Sequence, residues 1–145
     1  MISGKKLREL RLLRNLTQKE LAIKSRLTDA AIRNYELGNR SPSRKQLEMI
    51  AEALDCDSSA LLDHNLTTNF DFFQILFDSE ESQKLRPLVE EGTVALMSHS
   101  PELNDLIVEW DEMRKKHYNG EITDEELRDW KLSYPYKSRF LRKRK

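Results

Sequence analysis

The sequence predicts a mainly α fold of two small domains, the second of which also contains a β-hairpin. Apolar residues recur at helical spacing along most of the chain, and residues that favour helix N-termini precede several of these stretches. One glycine-containing turn lies between two short apolar segments, which indicates a single hairpin. The 145 residues suffice for one ordinary domain or two small ones, which excludes a barrel enzyme or a doubly wound dinucleotide-binding fold.

The first domain is predicted over residues 1–64, as five helical segments. Leucines at three-residue steps, with lysine and arginine between them, indicate an amphipathic first helix over 5–14. Thr17 and Glu20 form a potential capping box, which predicts that a short second helix begins after Thr17.

The remaining helices of this domain also have recognisable ends. The third, over residues 28–37, begins at Thr28, which can cap it, and Gly38 is suited to terminate it. Ser43 opens a fourth helix as the first residue of another potential capping box. A short helical segment over 58–62 completes the domain.

The second domain is predicted over residues 65–136. Its first segment, 69–81, is rich in phenylalanine and is interpreted as a helix. The glycine-containing turn at residues 90–92 predicts a hairpin whose strands cover 85–89 and 93–97.

Two helices and a tail are predicted to follow. Pro101 suits the first turn of a long helix, whose apolar face over 103–113 is a candidate dimer interface. Thr123 and Glu126 form a potential capping box for the last helix. For the basic tail, residues 137–145, both disorder and an additional grip on phosphate are open.

Charge is distributed unevenly along the chain, although the formal net charge is zero. Residues 1–45 contain twelve basic and four acidic side chains, whereas residues 46–136 contain seven basic and twenty-one acidic ones. The basic head predicts a polyanionic partner, and the acidic body favours solubility or self-association.

The single cysteine, Cys56, excludes an intrachain disulfide. It is expected to be a small core residue, with a redox-sensing thiol as the alternative that its acidic neighbours oppose. No apolar run approaches membrane-spanning length, so no membrane partner is expected. A reducing cytoplasm is the expected compartment.

The second and third helices, joined by a tight turn and with the small Ala22 in the first of them, form a helix-turn-helix arrangement. Further characteristic segments are Leu16 to Ala22, Ile32 to Arg40, Pro42 and Leu47 to Leu54. Through these residues the segment 5–62 resembles the helix-turn-helix domains of the Cro and lambda-repressor type, also called the XRE type. The resemblance implies a five-helix DNA-binding domain whose third helix enters the major groove.

A helical wheel with Ile32 on the inside predicts which side chains of the third helix face DNA. Arg33 can pair with guanine and Asn34 with adenine. Asp29 can accept a hydrogen bond from cytosine, and Ala30 can contact a thymine methyl group.

Contacts to the DNA backbone are expected as well. Gln18 matches the family position that binds a phosphate at the start of the second helix. The other expected phosphate contacts are Thr28, Asn39, Arg40 and Arg44.

Three residues concern the orientation of the third helix. Arg11 and Glu36 match a family ion pair that joins the first helix to the end of the third, so we assign them to orientation rather than to base reading. Arg26 stands where the turn commonly has glycine. Because a left-handed backbone is strained for arginine, the turn is expected to depart slightly from the family geometry.

No enzymatic, metal or cofactor site is predicted. The chain has only four glycines and no glycine-rich phosphate loop, and no Ser–His–Asp set has a recognisable context. The three histidines lack the spacing of metal ligands. Trp110, Trp130 and the phenylalanines of the second domain are interpreted as core or dimer interface.

These observations predict a bacterial or phage-encoded transcriptional regulator. It is expected to be a dimeric repressor that binds double-stranded DNA, each subunit reading one operator half-site. One alternative is an antitoxin, which would regulate its own gene through the same domain and bind a basic toxin through the acidic second domain. Another is a protein-interaction module without DNA binding.

Overall fold

The computed structural model describes residues 1–140, and in this range it contains seven α-helices, one 3₁₀ turn and one β-hairpin. The helices are α1 (Gly4–Leu13), α2 (Gln18–Ser25), α3 (Asp29–Leu37), α4 (Arg44–Ala53), α5 (Asn69–Ser79), α6 (Pro101–Tyr118) and α7 (Asp124–Ser133). The strands are β1 (Leu85–Glu90) and β2 (Thr93–Ser98), and the 3₁₀ turn covers Ser58–Leu61. The predicted mainly α fold with one hairpin is confirmed, and the fifth segment of the first domain is the 3₁₀ turn.

Capping boxes open α2, α4 and α7 at the predicted residues. At α2, the Thr17 hydroxyl accepts a hydrogen bond from the Glu20 backbone N–H at 3.1 Å, and the Glu20 carboxylate accepts one from the Thr17 N–H at 2.7 Å. A further capping box, formed by Thr68 and Asp71, begins α5. Each box satisfies backbone donors that the first turn of a helix leaves without partners, which fixes where the helix starts.

The described residues divide into two compact units. The first unit consists of Met1–Asp63 and the described residues from Lys116 onward, and the second consists of His64–Lys115. This division differs from the predicted boundary at residue 64, which assigned 65–136 to one domain. The difference arises because α7 packs against α1 and against the 3₁₀ turn.

The first unit has a continuous apolar core. The large side chains that are fully buried in it are Leu7, Leu10, Leu21, Ile32, Ile50, Leu54 and Leu61. Leu132 of α7 belongs to the same cluster, which explains why α7 is part of this unit. Cys56 also lies in the core, where burial raises the pKa of its thiol to about 12. The thiol is therefore protonated near neutral pH, which agrees with a packing role and opposes redox sensing.

Charged side chains fasten α7 as well. Asp129 accepts hydrogen bonds from Arg14 Nη1 at 2.6 Å and from Lys137 Nζ at 3.1 Å. Arg128 donates two hydrogen bonds to the Glu9 carboxylate, at 2.8 and 3.0 Å. None of these pairs was predicted from the sequence.

The beginning of the predicted basic tail is packed on the first unit. Lys137 is bonded to Asp129, and Ser138 is buried. The disorder considered for residues 137–145 therefore does not apply to these two residues. Residues 141–145 lie outside the described residues.

The second unit contains α5, the hairpin and most of α6. The hairpin turn consists of Glu91 and Gly92, whose φ angles are 46° and 79°, as a two-residue type I′ turn requires. The segment predicted as helix at 69–81 forms α5. Leu85 is the only hydrophobic side chain of residues 64–115 that is buried. The aromatic residues of this unit therefore do not form a core within one chain. Of the two sequence interpretations, core or dimer interface, the first is wrong for these residues.

Among residues 1–140, no helix is both long enough and apolar enough to cross a membrane.

Candidate nucleic-acid interface

The turn between α2 and α3 is closed by backbone hydrogen bonds. The Leu27 N–H donates to the carbonyl of Ala22 at 2.8 Å, and the Arg26 N–H donates to the carbonyl three residues before it at 3.2 Å. This is the Schellman arrangement that ends many helices. Thr28 follows at once and caps α3, since its hydroxyl accepts a hydrogen bond from the Ala31 N–H at 3.1 Å. The chain thus passes from one helix to the next through a short, fully bonded turn.

Arg26 adopts the left-handed conformation at this turn, with φ 57° and ψ 37°. The expectation that the turn would change to avoid this conformation is wrong, because arginine takes the backbone angles that glycine would take. The neighbouring Schellman hydrogen bonds and the partly buried Leu27, which packs against the core, hold it there. The left-handed conformation costs roughly 1–2 kcal/mol for a residue with a Cβ.

The inner face of α3 is held by the core. Ile32 and Tyr35 are buried, and the Tyr35 hydroxyl donates a hydrogen bond to Gln46 Oε1 at 3.2 Å. Gly38 ends the helix with a φ of 77°. The inner face of α3 is therefore held by core packing, and its C-terminus is defined by Gly38.

Arg11 and Glu36 form the predicted ion pair, and it is almost completely buried, with side chains 9% and 3% exposed. Two guanidinium nitrogens of Arg11 donate to the two Glu36 oxygens, at 2.5 and 3.1 Å, and a third donates to the Leu16 carbonyl at 2.8 Å. The Gln18 side chain also donates to Glu36, at 2.9 Å. This network connects α1, the start of α2 and the end of α3, which sets the orientation of α3.

The outer face of α3 is open to solvent. Asp29, Ala30 and Arg33 are exposed, and Asn34 is half-buried. Among the described residues, the side chains of Arg33 and Asn34 have no hydrogen-bond or ion-pair partner, so their donors are available to a ligand. The Asp29 carboxylate accepts a hydrogen bond from the adjacent backbone N–H at 3.0 Å, which holds it at the start of the helix.

The predicted phosphate contacts retain free donor capacity. An amide nitrogen has two hydrogens, so Gln18 keeps one N–H after bonding to Glu36. The Thr28 hydroxyl accepts a hydrogen bond as a cap and can still donate its own hydrogen. Asn39, Arg40 and Arg44 are exposed, and Arg44 has only a weak contact with Glu48 at 3.4 Å.

Two further cations lie beside these residues and were not singled out from the sequence. Lys19 is in the first turn of α2, and Lys45 is in the first turn of α4; both are exposed. The sequence could have indicated both lysines, because each directly follows a residue that is expected to contact phosphate, Gln18 or Arg44. In DNA-binding proteins, cations beside residues that contact phosphate add to phosphate binding.

Comparison with known proteins assigns the N-terminal part of the chain. Residues 7–61 match the helix-turn-helix family model. A solved structure titled "SinR protein/SinI protein complex" contains a chain with 20% sequence identity and a TM-score of 0.43, covering 81% of this chain and 100% of that chain. No curated protein matches the chain.

The family match covers the segment in which the short α2–α3 turn, the buried ion pair and the open face of α3 occur. Transcription regulators that contain this domain use it to bind DNA. Residues 7–61 of this chain are a DNA-binding helix-turn-helix domain of the XRE type.

Proposed function

We propose that the chain is a sequence-specific transcriptional repressor that acts as a dimer and reads one operator half-site with the α3 helix of each subunit. The observation that carries this proposal is the outer face of α3, where Arg33 and Asn34 have unused donors on a helix whose inner face is fixed. A symmetric dimer would place two such helices in successive major grooves, about 34–36 Å apart.

The chemistry of the exposed side chains assigns base preferences. Arg33 is suited to donate to the two acceptors of guanine, and Asn34 to form a bidentate pair with adenine. Asp29 is suited to accept from the amino group of cytosine, and Ala30 to contact a thymine methyl group. Each good bidentate pair discriminates against a wrong base by roughly 1–3 kcal/mol.

The proposal assigns the chain a binding role without catalysis, because the sequence has no recognisable set of catalytic residues. Repression then follows from occupation of the operator. The proposed site of action is the cytoplasm of a bacterial cell, where operator DNA is found.

The test is selection of random-sequence duplexes by the purified full-length chain, followed by affinity measurements across a salt series. We expect a palindromic site to be enriched. Asn34→Ala should relax the preference at one base position in each half-site while leaving the salt dependence nearly unchanged, because it removes a base contact. Arg40→Ala should weaken binding to all sequences and lower the salt slope by about one, because it removes a phosphate contact.

Lys131→Ala is the matched control, since Lys131 is an exposed cation on α7. It should change neither the preferred sequence nor the salt slope. The proposal fails if no sequence is enriched, or if Arg33→Ala and Asn34→Ala leave the affinity for the selected site unchanged. The first of these results would favour a protein-interaction module without DNA binding, and the second would show that α3 does not read the selected site.

A further inference from the structure

Helix α7 makes contacts that lie outside the segment matched by the family model. It begins at Asp124, more than sixty residues after the matched segment 7–61, yet it packs against α1 and against the 3₁₀ turn. Leu132 places it in the core of the first unit. The helix that it contacts, α1, is also the helix that holds the end of α3 through Arg11.

Two neighbouring residues of α7 form ion pairs at two places on α1. Arg128 donates to both oxygens of Glu9, at 2.8 and 3.0 Å. Asp129 accepts a hydrogen bond from Arg14 Nη1 at 2.6 Å. Glu9 and Arg14 are five residues apart, which is about 7.5 Å along the axis of a helix. Because the two attachments are separated along α1, together they restrain its tilt as well as its position.

Arg14 extends this connection to α4. Its Nε donates to the Leu54 carbonyl at 2.8 Å, so one guanidinium joins the ends of α1 and α4 to α7. Arg14 is also the C-cap residue of α1, and the residues that follow it lead into α2. The carboxylate of Asp129 therefore acts on the end of α1 that precedes the helix-turn-helix.

The same part of α1 holds two elements of the candidate DNA interface. Arg11 lies between the two attachment points, and its guanidinium donates to Glu36 at the end of α3 and to the Leu16 carbonyl ahead of α2. Gln18, a predicted phosphate contact, donates to the same Glu36 carboxylate at 2.9 Å. On a helical wheel Glu9 and Arg11 project about 160° apart. One side of α1 is thus paired with α7, and another side holds α3.

The contact between α1 and α3 leaves little room for adjustment. The Arg11–Glu36 pair is almost completely buried. At the other end of α1, a Cβ atom on Gly4 would lie 2.3 Å from the Glu36 carbonyl oxygen. Closely packed interiors transmit strain because they contain few voids that could absorb a displacement. A shift of α1 therefore moves the end of α3 and the carboxylate that holds Gln18.

We propose that α7 is a positioning element for DNA binding. Arg128 and Asp129 set the placement of α1, and α1 in turn places Gln18 and, through Arg11, the end of α3. Neither residue of α7 contacts DNA in this arrangement. The inference rests on the proposed function, because it assigns residues that orient the same DNA interface.

A role of α7 in stability alone predicts a different result. Such a role would lower the fraction of folded chain, which reduces binding to every duplex by the same factor. Misplaced contacts instead weaken binding to the selected site and leave the charge-driven binding to other sequences nearly unchanged. The ratio of the affinity for the selected site to the affinity for a shuffled duplex therefore distinguishes positioning from stability.

The experiment measures this ratio for the full-length chain and its variants. Arg128→Gln and Glu9→Gln both break the exposed pair, but they change the net charge in opposite directions. Charge alone would weaken DNA binding in the first variant and strengthen it in the second. Loss of positioning lowers the ratio in both, by about two- to fivefold, since a pair can shift binding by no more than its own interaction free energy. Lys131→Ala, at an exposed position on α7, is the control and should keep the native ratio.

Rescue and a second variant complete the test. Glu9→Arg combined with Arg128→Glu restores an ion pair and the native net charge, so it should recover most of the ratio. Asp129→Asn breaks the more buried pair and should lower the ratio by about tenfold. If circular dichroism shows that Asp129→Asn does not fold, the variants of the exposed pair decide, because such a pair contributes little to stability.

Amide resonances of the DNA-free chain give a readout that does not depend on a selected site. In a nitrogen–proton correlation spectrum, the Gln18 side chain and the backbone amides of residues 34–38 should shift in Arg128→Gln and Glu9→Gln. They should return towards their native positions in the swapped pair and stay unchanged in Lys131→Ala. A change in the fraction of folded chain would not move the resonances of the folded state.

The inference is overturned if the ratio and these resonances stay native in both single variants. It is also overturned if the two variants change the affinity in opposite directions at a constant ratio, or if the swapped pair restores neither readout. A chain that selects no DNA sequence but shows the shifts and their rescue loses the repressor proposal and retains this inference. A chain that selects a palindrome while both readouts stay native retains the repressor proposal and loses this inference.

Discussion

Gly4 occupies a position at the start of α1 where a side chain has no room. A Cβ atom there would lie 2.3 Å from the Glu36 carbonyl oxygen and 2.8 Å from the Tyr35 carbonyl oxygen. Both are backbone atoms at the end of α3, so they move only if that helix end moves. Glycine therefore permits the close approach of α1 to the C-terminal end of α3.

Gly4→Ala is expected to lower the free energy of unfolding by about 1–3 kcal/mol, because the added methyl group forces α1 and α3 apart. Urea denaturation measures the change. Lys5→Ala, at the next and exposed position, should have little effect. If Gly4→Ala were as stable as the native chain, α1 and α3 could move apart to accommodate the methyl group without a loss of free energy, and the argument from the close contact would be wrong.

Arg26 is the residue at which the α2–α3 turn departs from glycine, and its left-handed backbone is strained. Arg26→Gly is expected to raise the free energy of unfolding by up to about 1 kcal/mol, measured by denaturation, because glycine takes this conformation without a steric penalty.

Arg26→Ala is the control for this substitution. It removes the same charge but keeps a Cβ, so it should not give the same gain. If alanine and glycine stabilise the chain equally, the gain comes from the charge and the strain argument fails.

At the scale of elements, α7 is part of the first unit although more than sixty residues separate it from α4 in the sequence. Leu132 enters the core, and the Arg14–Asp129 pair, with side chains 15% and 18% exposed, lies mostly out of solvent. Charges in such a position destabilise the fold when one partner is removed.

Asp129→Ala is therefore expected to lower the free energy of unfolding by roughly 1.5–3 kcal/mol, since it leaves Arg14 without its carboxylate partner. Chemical denaturation provides the measurement. Glu125→Ala, an exposed acidic position on the same helix, should change it by no more than about 0.5 kcal/mol. Similar effects of the two substitutions would indicate that the ion pair does not fasten α7.

At the scale of the whole molecule, two carboxylates connect stability to pH. For Asp129, burial raises the pKa, but the hydrogen bonds from Arg14 and Lys137 outweigh it, so the pKa is lowered. For Glu9, the hydrogen bonds from Arg128 lower the pKa. Because each folded-state pKa lies below the unfolded value of about 4, the stabilisation is present above that value and is lost as pH falls through the folded-state pKa.

We expect the free energy of unfolding to decrease as pH is lowered below about 4, and Asp129→Asn to make this decrease smaller. Urea denaturation across a pH series tests it. The assignment fails if Asp129→Asn and the native chain lose stability with the same slope.

The sequence by itself determined where most helices and the hairpin begin and end. Thr17 with Glu20, Gly38, and Glu91 with Gly92 act within a few residues, because caps and turns depend on local backbone geometry. The family resemblance, together with a helical wheel, also predicted which face of α3 points away from the core, the face that includes Arg33.

Only the tertiary structure decided which distant charges pair and which helices share a core. Arg14 and Asp129 are 115 residues apart, and charged residues make up 34% of the chain, so the sequence offers many equivalent partners. The same holds for the phenylalanines of α5, whose spacing fits both a core and an interface. Their exposure depends on whether other elements of the chain cover them, which is a property of packing and not of local sequence.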